Sequence, residues 1–118
     1  MMKRFLIALS AVATSMFAVL AAPVSANAAS FSCMNSEYMN LAERRVCHSR
    51  TLSVLDERLD SWYRRALVRA KYFDDTMWVR AQQRRWMKKR NACGWRYWCL
   101  RRAYKKRIRT LKRYVEHV

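Results

Sequence analysis

From Ala29 to its last residue the chain contains no proline and a single glycine, Gly94. Strand-rich sandwiches and barrels turn their corners on these two residues, because glycine supplies positive φ and proline presets a turn. Phosphate-cradling loops need several glycines so that backbone N–H groups can approach the ligand. Both architectures are excluded, which leaves helices joined by short connections.

The only proline, Pro23, sits in a segment with the layout of a secretory signal. Lys3 and Arg4 form a basic start, Phe5 to Ala22 carries no charge, and Ala26-Asn27-Ala28 supplies the small residues of a cleavage site. The expectation is a signal peptide over 1–28, cleaved after Ala28, and a periplasmic or secreted protein. An uncleaved membrane anchor is the competing reading, since the uncharged run approaches the length that spans a bilayer. Ser10, Thr14 and Ser15 dilute that run, and the small-residue site favours cleavage. No cysteine follows the run in lipobox spacing, so a lipid anchor is not expected.

Residues 29–118 are expected to form one domain. Leu, Ile, Val and Phe number only 16 among these 90 residues, against 23 basic and 8 acidic ones, a composition usual in disordered chains. Five Trp and six Tyr offset it with large buried areas per residue, and four cysteines can staple a thin core.

Periodicity places the helices. Asn40-Leu41-Ala42-Glu43 has capping-box form and predicts a short helix over 41–48 burying Leu41, Val46 and Cys47. Ser49 is the next N-cap, and Leu52, Leu55, Leu59, Trp62, Tyr63, Ala66, Ala70 and Phe73 recur every three or four residues, predicting a helix over 50–73. Asp74-Asp75-Thr76 can cap a third helix over 76–92, with Val79, Gln83, Trp86 and the stem of Arg90 inward. Gly94 suits its left-handed end. A last helix over 98–116 carries Leu100, Tyr104, Ile108, Leu111 and Val115, with Val118 continuing the stripe. The fold class is all-α: a small antiparallel bundle of three to four helices stapled by two disulfides.

Cys33, Cys47, Cys93 and Cys99 allow three pairings. Local pairing is favoured, Cys93 with Cys99 across a helix hairpin and Cys33 folding back to Cys47. Spacings of 14 and 6 do not match zinc knuckles, so no metal is expected.

The ordered set Cys33…Glu43-Arg44-Arg45-Val46-Cys47, Leu52-x-x-Leu55-Asp56-x-x-Leu59, Tyr63-x-x-Ala66-Leu67, Gln83-Arg84-x-Trp86-Met87-x-x-Arg90-Asn91-x-Cys93 and Cys99-Leu100-x-x-x-Tyr104-x-x-Arg107-Ile108-x-x-Leu111 resembles the exported LprI-type lysozyme-inhibitor family, in its N-terminal domain. The resemblance spans about 33 to 111. It implies a helical, disulfide-stapled exported domain without enzymatic activity, and it suggests lysozyme as a partner. The family's named inhibitor is a lipoprotein, whereas this chain has no lipobox. Animal-type lysozymes are themselves cationic, which opposes long-range attraction. A glycosidase cleft nevertheless holds two carboxylates that an Arg or Lys can pair with.

The charge is unevenly spread. Residues 29–75 hold eight basic and seven acidic residues, a net of +1, whereas 76–118 hold fifteen basic residues and one acidic residue, Glu116, a net of +14. The C-terminal hairpin, 76–118, is thus strongly cationic, with every basic residue between Arg80 and Arg113. Its turn reads Gly94-Trp95-Arg96-Tyr97-Trp98. The bland reading is that these rings cap the core and the cations form a solvated face. Against it, uncompensated cations cost stability through self-repulsion, and solubility needs far fewer. The candidate partner-binding residues are Trp95, Arg96, Tyr97, Trp98, Lys88, Lys89, Arg101, Arg102, Lys105 and Lys106. Besides lysozyme, anionic envelope polymers, lipopolysaccharide or an anionic lipid surface fit this set. Export argues against nucleic acid as the native partner.

No enzyme is expected and no cofactor. His48 lies beside an expected disulfide and His117 at the terminus, and neither has an obvious nucleophile partner. Asp56, Glu57 and Asp60 share a helix with Arg58, Arg64 and Arg65, where surface pairing is the expected role. The helix dipole also favours Asp56 near its helix start.

Overall fold

A computed structural model describes residues 31–117; the signal-peptide expectation and Val118 lie outside them. The described chain begins with a 3-10 turn, Ser36–Tyr38, followed by four helices. These are α1 (Leu41–Cys47), α2 (Arg50–Phe73), α3 (Thr76–Ala92) and α4 (Tyr97–Glu116). The described residues contain no strand.

The caps follow from the sequence in three places. Asn40 accepts from the Glu43 backbone N–H at 2.9 Å while the Glu43 carboxylate accepts from the Asn40 backbone N–H at 3.1 Å, closing the capping box. Ser49 accepts from the Leu52 backbone N–H at the start of α2. Gly94, at φ 55°, ends α3 in the left-handed region. The α2–α3 turn is different. Asp74 takes the left-handed conformation at φ 59°, and Asp75 precedes α3 without capping it. The Asp75 carboxylate instead accepts from the Tyr114 hydroxyl at 3.1 Å, tying the end of α4 to this turn.

Chain neighbours among α2, α3 and α4 run antiparallel, so α2 and α4 are parallel. Asp56 meets Tyr104 and Arg69 meets His117, both pairs 48 residues apart, which fixes the register of α2 on α4. These two helices share the most extensive interface, and α1 closes one end against α2 and α3. The buried apolar core is Ala42, Val46, Leu52, Leu55, Leu59, Ala66, Ala70, Val79, Trp86, Cys93, Leu100, Tyr104 and Leu111. Each large aliphatic side chain here contributes on the order of 1.5–3 kcal/mol.

Both disulfides are the local ones, Cys33–Cys47 and Cys93–Cys99, with Cα separations of 5.8 and 5.5 Å. They lie at the α1 end of the bundle, where Ser53 also donates to the Val46 carbonyl at 2.7 Å and seats α2 on α1.

Four expectations are corrected. Leu41 is exposed and Ala42 is buried in its place, because Ala42 and Val46 share the inward face one turn apart. Cys47 is only half-buried. Phe73, at the last turn of α2, is exposed, with the Arg69 guanidinium over its ring. Asp56 is buried rather than surface-paired, whereas Asp60 does pair on the surface, with Arg64 at 2.9 Å.

Candidate functional site

Five polar side chains enter the core, Ser53, Asp56, Gln83, Arg90 and Arg107. Buried polar groups cost free energy unless partnered, so the fate of each charge is informative. Arg90 is well provided for. Its Nη2 pairs with Glu43 at 3.2 Å and with the Asn91 side chain at 2.9 Å, and its Nη1 donates to the Tyr104 hydroxyl at 3.5 Å. Tyr104 in turn donates to Asp56 at 2.8 Å. Burial, reinforced by the Asp56 charge, pushes the Tyr104 phenol well above its ordinary pKa, so it stays a donor. One network therefore joins all four helices. It is built from Glu43, Asp56, Arg90, Asn91 and Tyr104.

Arg107 has no such provision. Its Nε donates to Gln83 at 3.0 Å, but Nη2 is buried with no hydrogen-bond partner. Among the described residues no carboxylate pairs with it. Burial lowers its pKa, as expected for a cation held out of water. Arg45 and Arg69 also have a buried Nε without a hydrogen bond, yet both lie over aromatic rings. Among the described residues Arg107 stacks on no ring, with the Tyr63 phenol its aromatic neighbour, and its relative exposure is only 8%.

Arg107 lines a groove of about 500 Å³ between α3 and α4, whose walls include Arg85, Trp86, Lys88, Lys89, Ala103 and Lys106. α3 and α4 contact each other less extensively than α2 and α4 do. The Trp86 indole N–H donates to the Ala103 carbonyl at 3.1 Å, so its only donor is used and the ring itself is apolar wall. The groove thus combines an apolar floor with a cationic rim.

The ten residues singled out in the sequence fall into separate places. Lys88, Lys89 and Lys106 line the groove. Arg102 and Lys105 are exposed on α4, and Arg101 stacks over Trp98 at 5.5 Å. Trp95, Arg96, Tyr97 and Trp98 sit at the disulfide-clamped turn. Arg96 is exposed but folds back to donate to the carbonyls of Cys93 and Ala92, so it caps the end of α3. Trp95 and Tyr97 flank the Arg45 guanidinium at 5.2 and 5.5 Å, and His48 packs on Trp95. Trp98 remains 64% exposed.

Sequence reasoning missed Arg107 as a site residue and Asp56 as a core residue. The signal was present. Asp56 lies four residues after Leu52 and three before Leu59, and Arg107 lies three after Tyr104 and four before Leu111. Both occupy inward positions that residue type alone argues against.

The fold and site define a class: an all-α, doubly disulfide-stapled bundle with one compensated and one uncompensated half. No protein-family model matches the chain, and no match was found among curated proteins or solved structures. Among the described residues no helix is long and apolar enough to cross a membrane. No three His, Cys, Asp or Glu side chains among them converge as metal ligands.

Proposed function

We propose that this is a non-enzymatic exported binding protein whose working surface is the cationic face of α3 and α4, and whose ligand is an anionic envelope polymer or lipid surface. One observation carries the reading. Of the fifteen cations in 76–118, only Arg90 lies within ion-pair distance of a carboxylate among the described residues. Lys88, Lys89, Arg102, Lys105 and Lys106 stand exposed, and Trp98 offers an amphipathic ring at one end of the same helix pair. Such a surface attracts polyanions at long range and is screened by salt.

The test is binding of the oxidised chain to heparin and to vesicles with or without phosphatidylglycerol. Affinity for the anionic vesicles should fall about tenfold or more between low and physiological salt. Changing Lys88, Lys89, Lys105 and Lys106 to Glu should abolish it. A flat salt response, or unchanged binding by the fourfold variant, rules the reading out.

A second reading, lysozyme inhibition, rests on the resemblance and on one feature of the turn. Exposed Trp98 and half-buried Arg101 form a ring–cation pair beside the Cys93–Cys99 clamp, a cation of the kind an acidic cleft accepts. A turbidity assay with lysozymes of several classes tests it. Inhibition at micromolar protein that is lost in Trp98→Ala supports it, and no inhibition of any class ends it.

A further inference from the structure

Within that cationic face, and resting on its reading as the binding surface, Arg107 stands out as a cation the fold does not itself need. A buried guanidinium with no carboxylate partner and an unpartnered Nη2, held only by the neutral Gln83, is a standing cost to the folded chain. It also lies at the base of a groove, beneath Arg85, Lys89 and Lys106. Several convergent cations match an oxyanion of more than one charge, and arginine suits the several oxygens of a phosphate. The floor asks for something else. Trp86 has its indole N–H engaged and Ala103 offers only a methyl, so the floor favours hydrocarbon. The volume of about 500 Å³ falls within the range of small-ligand pockets.

We propose that the groove between α3 and α4 is a binding site for a phosphorylated amphiphile, its hydrocarbon lying on Trp86 and Ala103 and its phosphate received by Arg107, Lys89 and Lys106. Charge complementarity selects the headgroup and the apolar floor selects the chain. Neither a free phosphate nor a neutral amphiphile satisfies both.

The test is calorimetric titration of the oxidised full chain with octyl phosphate, inorganic phosphate, octyl glucoside and a short polyglutamate peptide. Octyl phosphate should bind at least about tenfold more tightly than any of the other three. Arg107→Met should lose about tenfold or more for octyl phosphate, keep its far-UV circular dichroism, and hold heparin affinity within about twofold. Where that variant does not fold, Lys106→Met on the exposed rim should lose at least about threefold more affinity for octyl phosphate than for heparin. Equal binding of inorganic phosphate, tighter binding of polyglutamate, or unchanged binding by the folded variants overturns the assignment. The two levels fail separately. Salt-sensitive heparin and vesicle binding without octyl phosphate binding removes the groove site and leaves the cationic face. Octyl phosphate binding without heparin or vesicle binding does the reverse.

Discussion

Two buried arginines in one small bundle meet opposite fates. Arg90 joins a network reaching Glu43, Asp56, Asn91 and Tyr104, so its charge is answered from three other helices or its own. Arg107 has Gln83 and an orphaned Nη2. The comparison extends to the surroundings. The α1 end is clamped by two disulfides and its rings are packed or stacked on cations, whereas the α3–α4 face carries cations that repel one another. The first region looks after its own stability. The second carries charge that, Arg90 apart, no carboxylate among the described residues answers.

The sharpest way to break this contrast is to remove each arginine. Arg90→Met should destabilise by about 3–5 kcal/mol, because Glu43 and the Tyr104–Asp56 pair lose their buried cation. Arg107→Met should cost far less, about 1 kcal/mol or below, since the loss of its hydrogen bond to Gln83 is offset by removal of a buried charge that no carboxylate pairs. Chemical denaturation of both in one buffer checks the pair, and equal losses would erase the distinction. Next in size are the staples. Loop-closure entropy assigns about 3 kcal/mol to Cys33–Cys47 and about 2 kcal/mol to the shorter Cys93–Cys99 loop, measurable by paired Cys→Ser variants.

Tyr104→Phe should cost about 1–2 kcal/mol by withdrawing the donor from buried Asp56. Its pH signature has a definite sign. Because the phenol's pKa is raised in the fold, the unfolded chain releases that proton first. The stabilisation is therefore complete below the ordinary phenol pKa of about 10 and is lost as pH climbs towards the higher folded value. Wild-type stability should accordingly fall relative to Tyr104→Phe in strong alkali, with the lysine titrations common to both cancelling. Parallel curves would show that Tyr104 carries no such linkage. The smallest effect is Gly94→Ala, at about 1 kcal/mol, since space is free around Gly94 but its φ of 55° disfavours a side chain.

Much of this contrast is legible in the sequence and part is not. The four helices follow from the three-and-four spacing of residues such as Leu52, Leu59, Leu100 and Leu111, and the caps at Asn40, Ser49 and Gly94 mark their limits. The local disulfides follow because short connections bring Cys93 to Cys99 and Cys33 to Cys47. The excess of cations in 76–118 is a matter of counting. What the sequence hides is how each charge is answered. Asp56 and Arg107 sit on inward stripes, yet their chemistry argues for solvent, and only packing decides that one finds Tyr104 and the other a bare groove. The groove itself depends on how far α3 and α4 stand apart, which side-chain bulk at the contact sets and periodicity does not encode. Phe73 fails for a plainer reason, because at the end of α2 the apolar stripe runs out past the partner that would cover it, whereas Leu41 lies off the face that Ala42 and Val46 bury.

The central claim, that the uncompensated half awaits an anion, is tested most directly by thermal unfolding of wild type and Arg107→Met with and without octyl phosphate. A ligand that binds only the folded state raises the melting temperature with its concentration. The account predicts that octyl phosphate raises the melting temperature of wild type and, at the same concentration, raises that of Arg107→Met much less. Equal shifts in both proteins, or none in wild type, would contradict it.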